Sequence, residues 1–91
     1  MLLKTQLVYL QKLDLADLYL GIRHGRFMYH IRSMVCYYGQ HYMAFVIMSD
    51  SLWYMFDDAN ILHIGHWSDV ITKCELGRTQ ASVLFYEQLQ V

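Results

Sequence analysis

The sequence predicts an α+β fold in which an antiparallel β-sheet dominates and carries one short helix. Several short runs rich in aromatic and β-branched residues follow one another after residue 29, with turn residues between them. One later segment instead repeats its apolar residues with the period of a helix. At 91 residues, the chain forms at most one domain.

The strands are predicted from these apolar runs and from the turns between them. They span residues 32–38, 41–48, 52–56, 60–64 and 82–86. Gly39 and Gln40 separate the first two runs and suit a two-residue type II′ hairpin turn. Asp50 lies at the centre of the next turn.

The sequence predicts where the helix begins and ends. Ser68 is a favourable N-cap residue, and Gly77 suits a helix terminus. An apolar stripe at i, i+3, i+4 and i+7 is formed by Trp67, Val70, Ile71 and Cys74. We expect two parts overall: an N-terminal helical and loop segment over 1–28, and a β-rich portion over 29–91.

Composition excludes several classes of function. The net charge is −1 and no stripe of lysine and arginine occurs, so a nucleic-acid partner is not expected. The longest apolar run, 42–48, is too short to span a bilayer, and no membrane partner is expected. The leucine-rich N-terminus is broken by lysine and glutamine and does not read as a signal peptide.

The two cysteines, Cys36 and Cys74, do not form a disulfide framework. They are typical of reduced, buried thiols, so an intracellular location, cytoplasm or nucleus, is expected. His63 and His66 have an i, i+3 spacing. A zinc site needs three or four ligands, however, and no third cysteine or histidine lies nearby in the sequence. We expect neither a metal nor a cofactor.

The second hairpin brings a histidine and a carboxylate together. With Asp50 at the turn centre, Met43 lies opposite Asp57, and His41 shares the face of Met43. Such a diagonal pair has Cα atoms about 7–8 Å apart, within reach of an imidazole and a carboxylate. A slip of one residue would place the two side chains on opposite faces.

A histidine oriented by a carboxylate is a general base, and with a thiol it forms the cysteine-protease arrangement. The competing interpretation is a partly exposed histidine near a turn that only aids solubility. Spacing alone favours the second interpretation.

Residues 34–87 resemble the C-terminal segment of the catalytic domain of ubiquitin-specific proteases, the USP family of deubiquitinases. Four blocks carry the resemblance, in the family's order: MVCYYGQHYMAF, LWYMFDDANI, HIGHWSDVITKCELG and ASVLFYEQ. The first looks like the family's histidine box, and the second like its Trp-Tyr-x-Phe-Asp-Asp segment. The resemblance implies the C-terminal part of a papain-like cysteine-protease fold.

By position, the resemblance implies that His41 is the catalytic base and that Asp57 orients it. Tyr38, Gly39 and Tyr42 would line the channel that holds the C-terminal tail of ubiquitin. The implied reaction is thiol-dependent hydrolysis of the bond after the last glycine of ubiquitin. Implied partners are ubiquitin or ubiquitinated proteins, together with the missing N-terminal part of the same domain.

The chain departs from the family pattern in three ways. Nothing resembles the family's cysteine box, so the isolated chain is expected to be inactive. Gln40 replaces the glycine that usually precedes the histidine, and the loop before His41 is collapsed. This compact form resembles a divergent branch that includes vertebrate members regarded as inactive and large plant relatives. The alternatives are therefore a non-catalytic pseudo-protease that binds ubiquitin or another protein, and a truncated gene product.

Overall fold

In a computed structural model, residues 4–89 form a six-stranded antiparallel sheet with a helix packed on one face. The elements are α1 (Lys4–Tyr9), β1 (Lys12–Asp14), β2 (Met28–Tyr38), β3 (His41–Ile47), β4 (Trp53–Asp57), β5 (Asn60–Gly65), α2 (Trp67–Gly77) and β6 (Gln80–Gln88). The predicted α+β class is confirmed. The predicted segments 1–28 and 29–91 also include residues 1–3, 90 and 91, which lie outside the described residues.

The strand order follows the chain from β1 to β5, and β6 returns to pair with β2. β2 is thus the central strand, paired with β1 and β3 as well as with β6. Each pairing is antiparallel. Within residues 4–89, no helix is long and apolar enough to cross a membrane.

The turn between β2 and β3 consists of Gly39 and Gln40, because Tyr38 pairs directly with His41. Both turn residues have positive φ, 54° and 65°. Positive φ at both central positions defines a type I′ turn, so the predicted type II′ turn is wrong. The predicted turn position is correct. Gln40 carries a side chain in a conformation that glycine or asparagine adopts more readily.

The core lies between α2 and one face of the sheet. Phe45, Met34 and Cys36 of the sheet are fully buried, and they meet the apolar stripe of α2. The rings of Trp53 and Trp67 pack with centroids 5.1 Å apart. The predicted stripe of α2 is buried along its whole length (Trp67, Val70, Ile71 and Cys74).

Helix α2 begins one residue before the predicted N-cap. Ser68 lies inside the helix, and the N-cap residue is His66. The Asp69 carboxylate accepts a hydrogen bond from the backbone N–H of His66, at 2.9 Å. Gly65 has φ 125°, and a Cβ there would lie 2.5 Å from the Asp69 carboxylate, so this cap requires glycine. The helix ends at Gly77 as predicted.

The N-terminal segment is attached to the main body by two long-range hydrogen bonds. Trp67 Nε1 donates to the carbonyl oxygen of Leu7 at 3.0 Å. The hydroxyl of Tyr86 donates to the carbonyl oxygen of Leu10 at 2.6 Å. Leu7 is itself buried in the core. The segment before β2 therefore shares the core of the β-rich portion.

Candidate active site

The candidate site lies where β3 begins and β4 ends. Nε2–H of His41 donates a hydrogen bond to Oδ1 of Asp57. Oδ2 of Asp58 lies 3.9 Å from the same nitrogen. The imidazole and the Asp57 carboxylate are partly exposed, at 41% and 33%, whereas the Asp58 side chain is 81% exposed. The pair is thus open to a reacting group from solvent or from another chain segment.

The register of the β3–β4 hairpin explains this contact. Ala44 pairs with Phe56 and Phe45 pairs with Met55, which is the register that a turn centred on Asp50 predicts. The Asp50 carboxylate stabilises the turn by accepting hydrogen bonds from the backbone N–H of Leu52 and the hydroxyl of Tyr54. The diagonal geometry predicted for His41 and Asp57 is the geometry observed.

The contact specifies which imidazole nitrogen carries the hydrogen. A carboxylate only accepts hydrogen bonds, so Nε2 of His41 is the protonated nitrogen in the neutral ring. The other nitrogen, Nδ1, then holds a lone pair. Within the part of the chain whose side chains are described, residues 7–89, no group bonds to Nδ1. A neutral imidazole held in this tautomer can accept a proton at Nδ1.

The electrostatics of the site favour the protonated imidazole. The hydrogen bond to Asp57 and the charge of that carboxylate raise the pKa of His41 above its ordinary value of 6.5. Asp58 adds a smaller contribution in the same direction. A raised pKa makes the ring a stronger base than a free histidine at neutral pH.

A groove of about 420 Å³ begins beside Asp57 and runs between the sheet and the last turn of α2. Met43 and Met55 lie among its walls on the sheet side, and Lys73 and Leu76 lie on the helix side. Leu76 is 80% exposed. Sequence patterns did not point to Lys73 or Leu76, because their distance from the site depends on how α2 packs against the sheet.

The three residues expected to bind substrate lie in different places. Tyr38 lines the groove beside Asp57 and is half exposed. Gly39 lies in the turn next to it. Tyr42 directly follows His41 in β3, so the two side chains point to opposite faces of the sheet. The Tyr42 ring packs against Tyr37 with centroids 5.0 Å apart. The structure therefore brings Tyr38 and Gly39 to the site and directs the Tyr42 side chain to the other face of the sheet.

Neither cysteine is placed as a nucleophile for His41. Cys36 is fully buried in β2, and Cys74 is buried in α2. A side-chain hydrogen bond with Cys74, together with burial, raises the pKa of the Cys36 thiol. A buried thiol that resists ionisation is a poor nucleophile, because the thiolate is the reactive form.

The remaining histidines do not form a ligand cluster with each other. His63 packs edge-on against the Tyr54 ring, with centroids 5.2 Å apart. Among residues 7–89, one group of at least three metal-ligating side chains has its donor atoms within 4.8 Å of one another, namely His41, Asp57 and Asp58.

Comparison with known proteins agrees with the four sequence blocks. The family model described as "Ubiquitin carboxyl-terminal hydrolase" matches residues 3–86. Ubiquitin carboxyl-terminal hydrolase 54 of Rattus norvegicus is 41% identical over 63 residues, which are 67% of this chain and 4% of that protein. Ubiquitin carboxyl-terminal hydrolase 53 of Homo sapiens is 47% identical over 56 residues, or 59% of this chain and 5% of that protein.

The fold also matches a solved structure. The yeast SAGA DUBm, solved with a mutant of Sgf73, contains a chain that aligns with a TM-score of 0.66 and 25% identity. The alignment covers 89% of this chain and 17% of the other. The present chain thus spans a small fraction of the relatives that it matches. Since the family match extends over nearly all 91 residues, the chain belongs to the ubiquitin carboxyl-terminal hydrolase family, as part of a ubiquitin-specific protease (USP) domain.

Proposed function

We propose that this chain is the histidine- and aspartate-bearing part of a deubiquitinase domain. In the complete domain, the reaction is thiol-dependent hydrolysis of the bond after the C-terminal glycine of ubiquitin. His41 acts as the base, and Asp57 orients it. The hydrogen bond from Nε2–H of His41 to Asp57 carries this proposal, because it leaves Nδ1 available for a proton.

The chemistry assigned to the chain is proton transfer at Nδ1 of His41. A thiol supplied by another part of the domain gives its proton to Nδ1, and the thiolate attacks the carbonyl carbon of the terminal glycine. As the C–N bond breaks, the imidazolium returns the proton to the leaving amine. Water then hydrolyses the thioester, with His41 again accepting a proton. The Asp57 carboxylate stabilises the imidazolium at both stages.

The substrate-binding roles of Tyr38, Gly39 and Tyr42 belong to the same proposal. The position of Tyr38 in the groove beside Asp57 supports contact with the tail of ubiquitin. Gly39 lies next to it and presents only backbone. Tyr42, 62% exposed on the other face, is proposed to contact ubiquitin outside the tail. The proposed location is intracellular, consistent with two unpaired cysteines.

A segment exchange tests the proposed function directly. Residues 34–87 replace the corresponding segment of an active USP, and hydrolysis of a fluorogenic ubiquitin C-terminal amide is measured. We expect turnover that falls by about 10²–10⁴-fold with His41→Ala, the range of a general base. Asp57→Ala should lower turnover as well, whereas His63→Ala serves as the matched control.

Two results separate the outcomes of the exchange. A folded chimera that binds ubiquitin but hydrolyses nothing would contradict the assignment of His41 as a base. Turnover that persists unchanged in the His41→Ala chimera would contradict it equally. The isolated 91-residue chain should show no turnover in either case, since both of its cysteines are buried.

A second candidate function is non-catalytic binding of ubiquitin or a protein partner. The observation that favours it is the burial of both Cys36 and Cys74, which keeps either thiol from serving His41. Titration of ¹⁵N-labelled ubiquitin with the 91-residue chain measures it. Shifts confined to one ubiquitin surface support binding, and unchanged spectra at millimolar concentration exclude it. A chain that does not fold alone would instead favour a truncated gene product.

A further inference from the structure

We propose that His41, Asp57 and Asp58 together bind a divalent transition-metal ion, and that the bound ion switches off the imidazole as a base. The binding itself depends only on the geometry of three side chains. Its inhibitory consequence rests on the proposed function.

The three donors converge from two neighbouring strands and the turn after them. His41 begins β3, Asp57 ends β4, and Asp58 follows in the turn between β4 and β5. Nε2 of His41 and one oxygen of each carboxylate lie within 4.8 Å of one another. The set thus combines an imidazole from one strand with carboxylates at the end of the neighbouring strand. A run of acidic residues on a single loop would lack the imidazole.

A tetrahedral ion fits among the three donors once the Asp57 carboxylate moves away from the imidazole and the Asp58 carboxylate moves toward it. Zinc bonds to nitrogen and carboxylate oxygen are about 2.0–2.2 Å, which places neighbouring donors about 3.3–3.5 Å apart. Asp58 Oδ2 lies 3.9 Å from Nε2 and must move inward by a few tenths of an ångström. Nε2–H now donates to Asp57 Oδ1, so the ion must replace that hydrogen, and Asp57 must move outward. Asp58 is 81% exposed, so its side chain rotates without disturbing the core.

The charge around the site also favours a cation. Among residues 7–89, no lysine or arginine forms an ion pair with either carboxylate. Lys73 lines the same groove as Asp57 but makes no ion pair with it. His41 is the group that faces both carboxylates, and a bound ion takes the place of the proton with which the imidazole compensates their negative charge.

Two other histidines lie beside carboxylates, but their carboxylates have other partners. His24 lies 3.5 Å from Asp14 and 3.7 Å from Asp17, and both Asp14 oxygens already accept backbone hydrogen bonds, from Ala16 and Gly25. His30 lies 3.9 Å from Glu87, whose carboxylate also pairs with Arg32 at 3.7 Å.

The donor set indicates which ions would bind. One imidazole and two carboxylates suit Zn²⁺, Co²⁺ and Mn²⁺, whereas Ca²⁺ and Mg²⁺ prefer all-oxygen sites. Three protein ligands leave a fourth position of a tetrahedral ion for water. The ion occupies Nε2, so Nδ1 must carry the hydrogen of the neutral ring. A ring in that state has no lone pair to accept the proton of a thiol.

Binding to the 91-residue chain is tested with Zn²⁺ by calorimetry and with Co²⁺ by absorption. We expect one ion per chain and cobalt bands typical of tetrahedral nitrogen and oxygen ligands, without the charge-transfer band of thiolate ligation. Asp58→Asn keeps the His41–Asp57 pair and removes one charged donor. It should weaken Zn²⁺ binding at least about tenfold, the scale of perturbed metal sites. Asp17→Asn, a matched change beside His24, should leave binding unchanged.

Equal Zn²⁺ affinities for the unmodified chain and Asp58→Asn would overturn the proposal. A thiolate charge-transfer band in the Co²⁺ spectrum would also overturn it, because the ion would then lie at a cysteine. Loss of Zn²⁺ binding in Asp17→Asn would overturn it as well. In the exchange chimera, added Zn²⁺ should reduce turnover, and Asp58→Asn should relieve the inhibition. A chimera without turnover would contradict the proposed function, while Zn²⁺ binding by the isolated chain would still stand.

Discussion

Asp57 accepts a hydrogen bond from Nε2–H of His41, a residue sixteen positions earlier in the chain. The β3–β4 register creates this contact, and the raised pKa of His41 follows from it. The same contact frees Nδ1, so the local structure already contains the tautomer that a general base requires.

The His41–Asp57 pair makes stability depend on pH. Because the pKa of His41 is raised in the folded chain, its contribution to stability is fully present below the unfolded value of 6.5 and is lost as pH rises through the folded pKa. Asp57→Asn should therefore cost more stability at about pH 5.5 than at about pH 9. Urea unfolding at both pH values measures this. An equal cost at both would show that the charged pair contributes nothing.

Gln40 at the hairpin turn is expected to be strained. Its φ of 65° disfavours a residue with a side chain, and glycine removes that strain. Gln40→Gly should raise the free energy of unfolding by about 0.5–1 kcal/mol, after the greater unfolded-state entropy of glycine is subtracted. Thermal or urea unfolding measures the gain. Gln40→Ala keeps the strain and serves as the control, and an equal gain from alanine would contradict this explanation.

The hydroxyl of Tyr86 in β6 donates a hydrogen bond to the N-terminal segment. Tyr86→Phe removes its 2.6 Å hydrogen bond to the Leu10 carbonyl and should lower the free energy of unfolding by about 1 kcal/mol. Tyr42→Phe removes an exposed hydroxyl and should have no effect. Urea unfolding of both variants measures the difference. Equal stability of the two variants would show that the segment before β2 is held by other contacts.

Both thiols should be protected in the folded chain. Cys36 is 0% exposed and Cys74 is 3% exposed, so iodoacetamide should modify neither until urea unfolds the chain. A ubiquitin probe with a thiol-trapping warhead should likewise leave the folded chain unlabelled. Mass spectrometry of digests identifies any modified cysteine. Rapid labelling of Cys36 or Cys74 under native conditions would contradict their assignment to the core.

Local patterns were sufficient for five of the six strands, for helix α2 and for the register of the β3–β4 hairpin. The turn at Asp50 and the alternation of side chains along a strand are sufficient to predict the His41–Asp57 contact from the sequence. The stripe of α2 was likewise readable, because burial on one helix face imposes a period of 3.6 residues.

Features that depend on distant contacts or on detailed backbone angles were not predictable. The groove requires the last turn of α2 to pack near β4, which no local pattern encodes. Strand β1 is three residues long and exists because it pairs with β2. The type I′ turn was missed because glutamine rarely adopts positive φ. Residue preference predicts Ser68 as the N-cap, whereas the N-cap is His66, whose backbone N–H donates to the Asp69 carboxylate.

The ring nitrogens of His41 provide the most direct test of its proposed role as the base. Nitrogen NMR of the ¹⁵N-labelled chain across a pH titration measures both the pKa and the tautomer. We predict a pKa above 6.5, hydrogen on Nε2 in the neutral ring, and a pKa that returns toward 6.5 in Asp57→Asn. A pKa at or below 6.5, or a neutral ring with its hydrogen on Nδ1, would contradict the assignment of His41 as the base.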